Sequence, residues 1–100
     1  MTPGLITEAM VERRLVRVVE QAGGRCLKWA SGTPGAPDRI VLLPGGRVLW
    51  VECKRPGARP RPLQARLHDQ LRALGQVVLV LDRVLDSVDQ LTTPEDDYGR

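Results

Sequence analysis

The chain has 100 residues, 42% of them apolar and 27% charged, with net charge +3 and only two cysteines. That length carries one hydrophobic core, and the composition is that of a globular chain rather than a disordered one. It excludes a membrane span, for want of an apolar run of about 18 residues, and a disulfide framework, since Cys26 and Cys53 form no CxxC pair.

The start, MTPGLITEAMVERR, lacks the basic-then-apolar pattern of a signal peptide, so a reducing, cytoplasmic setting is expected. Residues 6–22 read as a helix that Thr7 caps and Gly23-Gly24 end. Val11, Leu15, Val18, Val19 and Ala22 form its apolar stripe at 100° per residue. Glu8 falls inside that stripe and Glu12 at its edge. Arg25–Ala30 reads as a short strand, Ser31–Pro37 as a Gly/Pro-rich loop, and Asp38–Leu43 and Arg47–Lys54 as two strands of a hairpin around Pro44-Gly45-Gly46. The segment RPGARPRP cannot continue a central strand. Pro62 opens a second helix with Leu63, Leu67, Leu71 and Leu74 at helical spacing, and Gly75 ends it. QVVLVL, residues 76–81, reads as a strand buried on both faces. Residues 84–91 read as a weak helix or extended segment. The expected organisation is one domain over residues 1–91 with an acidic, frayed tail over 92–100. Helix, three strands, helix and strand make a small α/β sheet flanked by helices.

Charge is distributed unevenly. Residues 1–75 carry a net +7 and residues 76–100 a net −4. The basic residues are densest from Lys54 to Arg72, a field that attracts polyanions such as nucleic acid.

Three charged residues interrupt the apolar pattern of the hairpin. Alternation puts Val48, Trp50, Glu52 and Lys54 on one face of the second hairpin strand and Leu49, Val51 and Cys53 on the other. With a three-residue loop, Asp38 faces Glu52, and all three charges meet on one face. With a two-residue loop it faces Cys53 and needs a bulge to return. Two close carboxylates stay ionised only beside a cation, and oxygen ligands suit Mg²⁺ or Mn²⁺. With an ammonium next to them and a basic loop following, the pattern points to phosphodiester hydrolysis. The same spacing also arises from a turn-capping aspartate and a strand-end ion pair.

Pro37-Asp38 followed by Glu52-Cys53-Lys54 resembles the PD…ExK signature of the PD-(D/E)xK nucleases. More narrowly, GAPDRIVLLPGGRVLWVECKRPG, then PLQ and a helix ending LRALG, resembles the VRR-NUC (virus-type replication-repair nuclease) family over about residues 8–82. The resemblance implies a restriction-endonuclease-like core and a metal-dependent endonuclease. It implies Asp38, Glu52 and the Cys53 carbonyl as ligands of Mg²⁺ or Mn²⁺, Lys54 as the catalytic lysine, and Gln64 as a positioning residue. The family carries a glutamate on the first helix about eleven residues before the Gly-Gly, so the resemblance implies Glu12 as a further catalytic and metal-binding residue, with Glu8, which the helical face alone does not separate from it, in reserve. The resemblance offers Lys28 as a phosphate contact, a strand-edge lysine being the alternative; Arg55, Arg59 and Arg61 are expected to contact nucleic-acid phosphates because the Pro-rich loop gives them little to pack against. Stand-alone members are phage or bacterial, so the setting is a bacterial or phage-infected cell, the partner branched DNA such as a four-way junction, and the assembly a homodimer. The rival readings are a nuclease fold that binds nucleic acid without cutting it, and a structural subunit.

Among the other residues, Trp29 and Trp50 are expected in the core, His68 at the surface or half-buried, Arg39 in a structural or dimer role, and both cysteines inert.

Overall fold

The computed structural model describes residues 5–91, so the acidic tail expected at 92–100 lies outside the described residues. Helix α1 (Glu8–Gln21) is followed by strands β1 (Arg25–Lys28), β2 (Arg39–Leu43) and β3 (Arg47–Cys53), helix α2 (Pro62–Ala73), strand β4 (Val78–Leu81) and a short 3₁₀ turn at Val88–Gln90. The four strands form one sheet in chain order. The first three are antiparallel, and β4 runs parallel to β3 through the α2 crossover. This is the small mixed sheet flanked by helices that the element order implies.

Helix α1 begins where expected: the Thr7 hydroxyl accepts a hydrogen bond from the Met10 N–H. Its stripe of Val11, Leu15, Val18 and Val19 is buried against one sheet face, together with Val41, Leu43, Leu49, Val51 and Cys53. Leu85 and Leu91, beyond β4, close the same core, and Arg14 anchors that return by donating to the Leu85 carbonyl at 3.0 Å.

Helix α2 covers the other face only over β3 and β4, and it does not bury the leucines that its sequence emphasises. Leu63 and Leu74 are 51% and 77% exposed, and His68 is the helix's buried residue. Helical geometry explains the difference. Gln64, Leu67, His68 and Leu71 share the inward arc, whereas Leu63 and Leu74 lie some 70–90° off its centre. His68 is thus buried rather than half-exposed. β4 pairs only with β3, and Leu79 and Val80 are half-buried, so it is an edge strand and not one enclosed on both faces.

The hairpin turn settles the register. Leu43 pairs with Arg47, Leu42 with Val48, and Arg39 with Val51. Pro44-Gly45-Gly46 is therefore a three-residue loop, with both glycines at positive φ. One step further on, Asp38 falls opposite Glu52. On the face away from α1 the side chains stand in rows across the sheet: Arg25, Leu42 and Val48 nearest the turn; Leu27, Ile40, Trp50 and Val78 next; then Asp38, Glu52 and Val80. The 31–37 loop delivers Asp38 by crossing the start of α2. There a Cβ on Gly35 would sit 3.0 Å from the Leu63 carbonyl oxygen.

Candidate active site

Asp38 and Glu52 are placed by different means. Glu52 lies within β3 and is 2% exposed. Asp38 immediately precedes β2, held by its carbonyl, which accepts from the Trp29 N–H at 3.0 Å, and by its carboxylate, whose Oδ2 accepts from the Cys53 N–H at 3.3 Å. Lys54 extends the strand, its own N–H bonded to the Leu81 carbonyl, and its Nζ lies 3.6 Å from Glu52 Oε2. Gln64, in the first turn of α2, links the helix to the strand. Its Nε2 donates to Glu52 Oε2 at 3.1 Å, while its Oε1 accepts from the Arg61 N–H at 2.9 Å. The glutamine therefore holds the glutamate.

One buried carboxylate oxygen of the pair is left without a hydrogen bond. Glu52 Oε1 is buried and has no partner among the described residues. Burial, first, and the negative charge of Asp38, second, push the Glu52 carboxyl up to about 7, with Lys54 opposing. A proton held there would be shared with Asp38. With both groups ionised, a buried acceptor oxygen without a partner among the described residues stands beside a second carboxylate. A divalent cation is the group such a pair fits, and an all-oxygen set favours Mg²⁺ or Mn²⁺ over zinc.

The structure does not bring Glu12 into this pair, contrary to the implied third carboxylate. Among the described residues, no three His, Cys, Asp or Glu side chains are grouped to hold a metal ion. Glu12 Oε2 instead accepts from Arg39 Nε at 2.8 Å and lies 3.5 Å from Lys28 Nζ. Arg39 also donates to the Cys26 carbonyl at 3.3 Å. Burial pulls the Glu12 pKa up, but the Arg39 hydrogen bond and charge, with Lys28, outweigh it, and the net direction is down. Sequence reasoning missed this pairing because it gave Arg39 no partner. The signal was available: Arg39 alternates with Asp38 and so faces α1. Glu8 is exposed and joins neither group.

The remaining candidates lie around the pair. Cys53 contributes its backbone, since its thiol faces α1, is buried, and is pushed up to about 12 by that burial. Cys26 is likewise buried and raised to about 11 by burial, and both thiols are free. Arg55, Arg59 and Arg61 are exposed on the loop that leaves Lys54. The Lys28 side chain is 71% exposed even while it is paired with Glu12. His68, one turn beyond Gln64, is buried with Nε2 unpartnered among the described residues. Burial, then the Arg72 charge, lowers its pKa. Trp29 and Trp50 are half-buried on the site face instead of in the core.

No family model matches the chain. Among curated proteins, it is 49% identical over 79 residues to "Putative nuclease p44" of Acyrthosiphon pisum secondary endosymbiont phage 1, covering 78% of this chain and 85% of that protein. Among solved structures, one named "VRR_NUC domain" aligns with a TM-score of 0.71 at 31% identity, covering 93% of this chain and 99% of the other.

Proposed function

Since the chain belongs to the VRR-NUC family, we propose that it is a nuclease that hydrolyses DNA phosphodiester bonds with Mg²⁺ or Mn²⁺ bound at Asp38, Glu52 and the Cys53 carbonyl. The observation that carries this reading is the buried Oε1 of Glu52, without a partner among the described residues, beside Asp38. When bound, such an ion polarises a phosphoryl oxygen and lowers the pKa of water at the site. The chain's own residues do the rest. Lys54, 3.6 Å from Glu52, presents an ammonium to the charge that builds on the phosphate oxygens. Gln64 keeps Glu52 from turning away. Arg55, Arg59, Arg61 and Lys28 hold the flanking phosphates, contacts that position a strand without reading its sequence. Glu12 acts at one remove: paired with Arg39, it fixes the strand that leads out of Asp38. Residues 1–91 work as one nuclease domain, in the cytoplasm of a bacterial or phage-infected cell.

The preferred substrate in this reading is branched DNA, cut by a homodimer with one site per subunit. Support for self-association comes from Leu27, Leu42 and Val48, which lie 38–42% exposed beside one another on the sheet face that α2 leaves open. The test is cleavage of labelled four-way-junction and linear duplex DNA with Mn²⁺, Mg²⁺ or EDTA. Metal-dependent cutting of the junction in preference to the duplex is expected. Metal-independent binding with no cutting of either substrate overturns the reading in favour of a binding module.

A further inference from the structure

Beside the two carboxylates lies a feature that hydrolysis itself does not use. The Trp29 and Trp50 rings meet with centroids 4.8 Å apart at 58°, Trp29 directly after the end of β1 and Trp50 within β3. Both are half-buried, and neither belongs to the core cluster, which lies on the opposite face. Trp50 is fixed by its Nε1–H, which donates to Gln76 Oε1 at 2.8 Å. The pair is set against the site. Trp29 is hydrogen-bonded through its backbone to Asp38, and Trp50 precedes Glu52 by two residues on the same face, about 7 Å along the strand.

A nucleotide needs two kinds of surface, one for its phosphate and one for its base. Lys54 and the exposed Arg55, Arg59 and Arg61 supply positive charge on the far side of Glu52. The indole pair supplies an aromatic ring face on the near side. Inside a duplex both base faces are already stacked. A base that has left its stack can lie on an aromatic ring, and such stacking tolerates any base.

We propose that Trp29, with Trp50 behind it, is the stacking surface for an unpaired base next to the scissile phosphate, and so a determinant of substrate choice. The proposal rests on the nucleic-acid reading of the site. It adds that an unpaired nucleotide at the cut, as in a flap, branch or single strand, is what the chain selects.

Both tryptophans of the chain are in this pair, so their emission reports on it directly. The experiment uses the Glu52→Gln protein in EDTA, which cannot cut. It is titrated with a single-stranded oligothymidylate and with an abasic strand of equal length, following indole emission and the anisotropy of a labelled strand. The base-bearing strand is expected to quench the emission and to bind about tenfold more tightly than the abasic one. Trp29→Leu should lose that preference, and Trp29→Phe should keep it. Equal affinity for the two strands overturns the proposal, as does binding without quenching or no binding at all. The titration is made at fixed protein concentration, so that self-association through Leu27, Leu42 and Val48 does not contribute to the change in emission. Wild-type cleavage is measured separately. Base preference without cutting would remove the nuclease reading alone, and cutting without base preference would remove the stacking surface alone.

Discussion

Arg39 Nε lies 2.8 Å from Glu12 Oε2, an ion pair that joins α1 to the strand leading out of Asp38. Both side chains are largely shielded, at 16% and 20% exposure. Removing one partner strands the other, at a cost of about 1–3 kcal/mol. Glu12→Gln should therefore lower the melting temperature while leaving Mn²⁺ affinity within about threefold of wild type, measured by calorimetric titration. A loss well beyond the roughly hundredfold that removing an orienting group costs would instead make Glu12 a ligand.

Glu52→Gln and Lys54→Ala should each reduce cleavage by about a thousandfold, the scale of losing a preorganised charge at a reacting phosphate. Single-turnover rates on labelled DNA measure this. Asp38→Asn should fall into the same class. Arg59→Ala should weaken binding with little effect on the rate at saturation.

Titration of Glu52 gives the site a pH signature. Its folded pKa of about 7 lies above the ordinary value of 4.5. Its contribution to stability is therefore complete below about 4.5 and is lost as pH rises through about 7. Relative to Glu52→Gln, the metal-free protein should lose up to about 3 kcal/mol between pH 5 and pH 8. Mg²⁺ at a hundred times its Kd should restore about 3 kcal/mol at pH 8 and should not stabilise the variant. Thermal melts across that range check both outcomes. Glu12 and His68 titrate in the opposite sense, losing stability as pH falls, which is why the variant is the reference.

Gln64→Ala removes the link from α2 to Glu52 Oε2. Metal affinity is expected to fall about tenfold with it, as when other groups that orient a ligand are removed. Stability should change little, because Gln64 is only half-buried. Gln64→Glu should do worse, by placing a third carboxylate beside the pair.

Val48→Asp puts a charge among Leu27, Leu42 and Val48 on the open sheet face. Light scattering should show a dimer for wild type and a monomer for the variant. Melting should be nearly unchanged, because Val48 is 42% exposed within one chain.

The sequence was most informative where a short-range rule decides the outcome. Strand alternation put Glu52 and Lys54 on one face, and helical periodicity found the buried face of α1 apart from its border residue Ala22. Asp38 was legible only conditionally, since two loop lengths were open and only the folded turn selects one. The errors came from what lies across from each element. A helical wheel does not show how much sheet α2 covers, so its leucines looked central and His68 marginal. The tryptophans alternate correctly but stand on the half-covered side. Arg39 was seen to face away from the site, but its partner lay 27 residues away on another element.

The three-residue turn makes the chemistry depend on a count. Substituting Pro44 leaves the number of residues between Asp38 and Glu52 unchanged. Inserting or deleting one residue there shifts the pairing by a single step and turns the Asp38 carboxylate into the valine-lined interior. Change at the tip is thus filtered by parity. Substitutions pass, while single-residue insertions and deletions silence a site several residues away without touching any group in it.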